Sequence, residues 1–157
     1  MNAVAAIAAE GRPWTGSYPP GVPATIDERA LKPLSELFAD SVARFAAQPA
    51  MESFGKRMTY AELGTAANAV AAWLQGQGLS KGDRVAIMLP NVMAYPAILF
   101  GVLAAGLTVV NVNPLYTARE LTHQLNDSGA KMLFVLENFA HTVQEAGPGI
   151  GLQKTVL

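Results

Sequence analysis

Cysteine is absent from this 157-residue chain. That excludes disulfides, thiolate metal sites and cysteine nucleophiles, but it does not fix the compartment. Histidine is scarce: His123 and His141 fall on different predicted helices, and no HxxxH or HExxH spacing makes either a metal ligand. No GxSxG elbow is present, and Ser128, in Asn126-Asp127-Ser128-Gly129, reads as turn chemistry rather than as a nucleophile. A basic excess is also missing. Eleven Lys plus Arg stand against 12 Asp plus Glu, with a pI near 6.1, so nothing neutralises a nucleic-acid backbone.

Charge disappears altogether between Arg84 and Arg119. The interval is long enough to span a bilayer. Pro90, Asn91, Pro96, Gly106, Asn111, Asn113 and Pro114 nevertheless cut it into pieces whose lengths suit the buried strands and helices of a soluble α/β domain. The opening MNAVAAIAAEG has no Lys or Arg before its apolar residues and meets Glu10 soon after, so it is a poor secretory signal. A frayed tail and a cytoplasmic protein are the expectation.

Residues 1–33 hold four of the prolines up to Pro23 and end on Pro33, which predicts an extended N-terminal segment. Residues 34–157 read as a partial α/β subdomain. Leu34, Leu37, Phe38, Val42 and Phe45 recur at helical spacing. A hairpin follows, with Ala50 to Phe54 as its first strand, Gly55-Lys56-Arg57 as its turn and Met58-Thr59 as its return. Thr59 and Glu62 have capping-box spacing for a helix with the stripe Leu63, Ala67, Val70 and Leu74.

Beyond Gly82-Asp83 the architecture becomes repetitive. Strands are predicted at 84–89, 107–112, 131–136 and from Thr155 onward, with helices at about 92–105, 118–128 and 139–146 between them. A strand, a helix and two short loops make the βαβ unit, and the continuous runs VAIML and LTVV suit strands covered on both faces. The fold class is therefore α/β, a doubly wound, mainly parallel sheet preceded by a helix and a small hairpin. The last strand begins and stops at Leu157, which reads as the edge of a larger domain.

Chemistry is harder to find. Gly76, Gly78 and Gly82 form GxGxxxG, but they follow a helix and open a strand, the reverse of a phosphate-cradling loop. Glu36, Glu62 and Glu120 sit at helix starts, where capping explains them. No catalytic residue and no metal ligand is assigned. In open parallel sheets ligands gather beyond the carboxyl ends of strands, so Asn91, Tyr95, Asn113 and Tyr116 are the candidate substrate-binding residues, on geometry alone.

Several blocks resemble a known family. WTGSYPPGVPATID, MTYAEL, KGDRVAIMLPN, YPAILFGVLAAGLTVVNVNPLYTARELTHQLNDSGAK and LENFAHTVQ are similar, in order and spacing, to the N-terminal part of bacterial long-chain fatty acid–CoA ligases. These belong to the AMP-forming acyl- and aryl-CoA synthetase and luciferase superfamily. The resemblance runs from Trp14 to Leu157 and departs from the family pattern at Ala104 and Ala118.

The resemblance implies a two-step reaction: a fatty carboxylate attacks the α-phosphate of ATP, with magnesium offsetting phosphate charge, and the thiol of coenzyme A then displaces AMP. It also implies that the family's phosphate loop, its adenine and acyl pocket, its ribose-binding Asp and its catalytic Lys lie beyond Leu157. No cofactor is therefore expected on these residues, and the fragment alone is expected to be inactive. The amphiphilic substrate allows peripheral association with the inner membrane, and a homodimer is allowed. Two other readings compete: a non-catalytic interaction module that uses its exposed sheet edge, and an independent nucleotide-binding domain, which the misplaced glycines disfavour.

Overall fold

The computed structural model describes residues 12–157, and the reading of the first eleven residues as a tail falls outside them. The chain divides into two units at Pro33 and Leu34. In the first, the prolines permit only short 3-10 turns, at Pro13–Ser17 and Glu28–Ala30. The second of these is capped by the Asp27 carboxylate, which accepts from Arg29 N.

The second unit begins with helix α1, Leu34–Phe45, followed by the antiparallel hairpin β1, Pro49–Ser53, and β2, Lys56–Thr59. The hairpin turn is Phe54-Gly55. Lys56 and Arg57, expected in the turn, pair with Ser53 and Glu52 inside the ladder. Two residues suffice because both adopt positive φ, the backbone twist that matches paired strands.

Helix α2, Tyr60–Gln75, opens with the predicted capping box: the Thr59 hydroxyl accepts from Glu62 N, and the Glu62 carboxylate accepts from Thr59 N at 2.8 Å. Its buried stripe is Leu63, Ala67, Ala71 and Leu74. Strand β3, Arg84–Met88, follows, then α3, Ala94–Ala104, and β4, Thr108–Asn111. Helix α4, Ala118–Ser128, has a second capping box, at Thr117 and Glu120. It stops at Gly129, whose left-handed φ of 62° a side chain would resist. Strand β5, Met132–Val135, helix α5, Ala140–Ala146, and strand β6, Lys154–Val156, complete the order.

The four longer-range strands form a parallel sheet in the order β4-β3-β5-β6. Crossovers in two directions place α3 on one face and α4 with α5 on the other, so the sheet is doubly wound, as the sequence pattern predicts. Alternation along the strands divides the core accordingly. Val85, Met132 and Phe134 pack with Leu74 and Val102 on the α2 and α3 side, whereas Ala86, Met88, Leu133 and Val135 pack with Leu121 and Leu125 on the α4 side. Leu74, Ile87, Leu121 and Leu133 are fully buried, and truncating any one to Ala should cost about 2–5 kcal/mol.

Candidate functional site

The described surface contains an apolar groove of about 540 Å³, and a depression of about 560 Å³ lies apart from it, lined by Thr117, Arg119, Glu120 and His123. Four elements of the second unit build the groove. Helix α1 contributes Leu34, Leu37 and Phe38, β1 contributes Met51, and α2 contributes Tyr60 and Leu63. The loop into α3 with that helix contributes Asn91, Val92, Met93, Tyr95 and Phe100. Helix α1 presents these residues because its apolar positions fall on one stripe. It is docked by Phe38, whose ring stacks on Phe100 with centroids 3.8 Å apart and planes 4° from parallel. A β-carbon on Gly64 would lie 2.8 Å from Val42 Cγ1, so the α1–α2 crossing depends on glycine there.

Two of the four sequence-predicted site residues border this groove. Asn91 lies exposed in the loop after β3. Tyr95, in the first turn of α3, lines the wall while its hydroxyl donates to Asn111 Oδ1 at 2.6 Å, tying the helix start to the end of β4. Asn113 and Tyr116 are elsewhere. The Asn113 side chain accepts from Leu115 N at 3.0 Å and its carbonyl accepts from Tyr116 N at 3.1 Å, so both residues close a turn. The Tyr116 ring packs on the α4-side core and borders a separate shallow depression with His123 and Gln124.

Strand order explains the split. The chain leaves β3 for β4 on one side and then crosses to β5 on the other, so the topological switch lies between β3 and β5. The loops that flank it are the one carrying Asn91 and the turn at Glu137–Phe139, whereas Asn113 follows the edge strand β4. Only knowledge of the strand order could have singled out the Glu137 turn.

The ionisable groups displaced from their ordinary values are structural. The carboxyl of Asp83 is held low first by Lys131, whose Nζ lies 2.8 Å from both its oxygens, and then by the amide of Ser80. Those of Glu62 and Glu120 are held low by the amides and hydroxyls of Thr59 and Thr117. None borders the groove, where Glu52 is the single charged residue and pairs with Arg57 at 2.6 Å. Hence the groove offers no cation to a triphosphate and no displaced acid or base to a reaction. Among the described residues no cluster of three or more His, Asp or Glu could hold a metal ion. His123 and His141 are both exposed, and His141 lies beside the Thr142 hydroxyl. No described helix is long and apolar enough to cross a membrane.

Comparison with known proteins supplies what the groove alone does not. The family described as AMP-binding enzyme matches residues 38–156. A long-chain-fatty-acid–CoA ligase of Escherichia coli is 50% identical over 145 residues, which are 92% of this chain and 26% of the relative. One from Yersinia pestis is 53% identical over 133 residues, 84% of this chain and 24% of the relative. Among solved structures, a Mycobacterium tuberculosis fatty acyl CoA synthetase superposes with a TM-score of 0.72 at 26% identity. It covers 78% of this chain, which in turn covers 26% of it. The chain thus spans about a quarter of the length of the relatives it matches.

Proposed function

This chain belongs to the AMP-binding enzyme family, and we propose that it is the N-terminal part of a long-chain fatty acid–CoA ligase. The reading is carried by one observation above all: over 92% of the chain, half of the aligned residues are identical to those of a protein named for that activity. Such a ligase activates a fatty carboxylate with ATP and passes the acyl group to coenzyme A.

Within these residues the contribution is scaffold and substrate positioning. The doubly wound sheet holds the loop after β3, and Asn91 and Tyr95 from that loop and helix are the residues proposed to meet the substrate. An apolar wall of Leu37, Phe38, Met51 and Phe100 suits an aliphatic chain better than a nucleotide. ATP, magnesium and coenzyme A are accordingly not placed here: the groove lacks a cation, and the glycines at 76, 78 and 82 lie between α2 and β3, the wrong side of a strand for a phosphate loop. The 157 residues by themselves are proposed to be inactive. For the larger protein a cytoplasmic location, with peripheral association at the inner membrane, fits an amphiphilic substrate.

ATP–pyrophosphate exchange in the presence of a long-chain fatty acid is the test. The longest polypeptide encoded by the gene should exchange label and form acyl-CoA, and the 157-residue chain should do neither. Exchange by the short chain, or none by the longer one with any fatty acid, would overturn the proposal.

A further inference from the structure

Asn111 interrupts the apolar run of β4, although Asn is a poor strand residue. Its surroundings give the reason. Asn111 and Val112 share one peptide unit, which is clamped from both sides. The Val112 N–H donates to the Ile87 carbonyl at 3.0 Å, and the Asn111 carbonyl accepts from Gln124 Nε2 at 2.8 Å. Strand β4 lies at the edge of the described sheet, so the second bond comes from a side chain of α4 and not from a strand. On this fixed peptide Asn111 presents Oδ1 to the Tyr95 hydroxyl, which donates to it at 2.6 Å.

Gln124 makes the link at a cost in stability. Its Oε1 is closed off from solvent and accepts no hydrogen bond, alone among the buried side-chain nitrogens and oxygens of the described residues. Turning the amide over would set oxygen against oxygen at Asn111, so rotation cannot satisfy it. A buried acceptor left bare is destabilising, and an apolar side chain of similar length would avoid that. Because the atom has no accessible surface, further polypeptide laid over this unit would not reach it.

We propose that Gln124 and Asn111 are positioning residues for the fatty acid, acting through Tyr95 on the wall of the groove. Gln124 sets the peptide, the peptide aims the Asn111 amide, and that amide holds the Tyr95 ring at one place on the wall. The inference rests on the reading of the groove as an acyl site, and it adds residues of β4 and α4, neither of which borders the groove. A side chain kept against stability is expected where function depends on it.

Steady-state kinetics with long-chain fatty acids, beside thermal unfolding, test this on the longest polypeptide the gene encodes. Gln124→Met should keep or raise the thermal midpoint, since it removes the bare acceptor and leaves the carbonyl of Asn111, an exposed residue, to water. It should nevertheless raise KM about three- to ten-fold with kcat little changed. Asn111→Leu should raise KM as much as Tyr95→Phe does, and the two together should do no more than either alone. Asn111→Asp keeps an acceptor for the hydroxyl and should hold KM near the parent value. A purely structural role predicts the opposite pairing for Gln124→Met, a lower midpoint with KM unchanged, and that result overturns the proposal. So does a normal KM in Asn111→Leu, or additive effects of Asn111→Leu and Tyr95→Phe. Any of these, with acyl-CoA formed by the unmodified polypeptide, leaves the ligase reading standing. No acyl-CoA from the unmodified polypeptide overturns both.

Discussion

Gly101 of α3 lies so close to α2 that a β-carbon on it would come within 2.6 Å of the Val70 Cβ and 2.8 Å of the Ala67 carbonyl oxygen. Val70 is β-branched and has little rotamer freedom in a helix, and a carbonyl in the helix ladder cannot step aside. The two helices can be this near only because residue 101 has no side chain. Their crossing places Phe100, the neighbouring residue, against Phe38 on the groove floor.

Gly101→Ala should therefore destabilise the protein, although Ala is the better helix former. The propensity gain of about 1 kcal/mol is outweighed by overpacking, for a net loss of about 1–2 kcal/mol. Urea unfolding of the two chains measures it, and an unchanged or higher midpoint would mean that the helices separate without cost.

Asp83 should make stability depend on pH on the acid side. Its folded-state carboxyl is held below the ordinary Asp value, mainly by Lys131 and next by Ser80 N. The stabilisation is thus fully present above about pH 4 and lost as pH falls through the depressed value. Thermal midpoints recorded from pH 7 down to pH 3 should fall less steeply for Asp83→Asn than for the parent. Lys131→Met should lower the midpoint at pH 7 and flatten the same acid slope.

Loss of the helix caps should be local and additive. Thr117→Ala removes the hydroxyl that accepts from Glu120 N and that donates to the Glu120 carboxylate at 2.8 Å. Destabilisation of about 1 kcal/mol is expected, and the same for Thr59→Ala at α2. The two boxes share no residue, so chemical denaturation of the double variant should give the sum of the single effects.

Much of this was legible beforehand because local rules and the fold agreed. Thr59-x-x-Glu62 and Thr117-x-x-Glu120 announced two helix starts, and Gly129 announced a stop, since capping chemistry needs only neighbours in sequence. The continuous apolar run VAIML marked β3 as a strand covered on both faces, whereas LTVV, read the same way, became the edge strand β4, whose residues are exposed or half-buried. Long-range relations were not legible in the same way. Asn113 and Tyr116 looked equivalent to Asn91 and Tyr95, because each pair follows a strand. Only the order β4-β3-β5-β6 shows that one pair flanks an edge strand and the other the switch point. The groove was equally invisible, being assembled from α1, the hairpin, α2 and α3, with lining residues from Leu34 to Phe100, while no local rule reports their meeting. In the hairpin, the placement of the turn failed for a local reason. Phe54 occupies a left-handed position that a bulky residue seldom takes, so the tight turn was expected one residue later.

Tyr95 and Asn91 together separate scaffold from substrate contact. The Tyr95 hydroxyl donates to Asn111, so Tyr95→Phe should cost about 0.5–1.5 kcal/mol of stability. Asn91 is exposed and has no hydrogen bond from its side chain among those described, so Asn91→Ala should leave stability within about 0.5 kcal/mol. If both border the path of the acyl chain, each variant of the longest encoded polypeptide should raise KM for a long-chain fatty acid several-fold, with kcat little changed. Uniform binding lost from ground and transition states alike has that signature. Steady-state kinetics against chain length, beside urea unfolding, supplies the comparison. A normal KM in Asn91→Ala would remove Asn91 from the site, and a Tyr95→Phe defect confined to stability would leave Tyr95 a tie between α3 and β4.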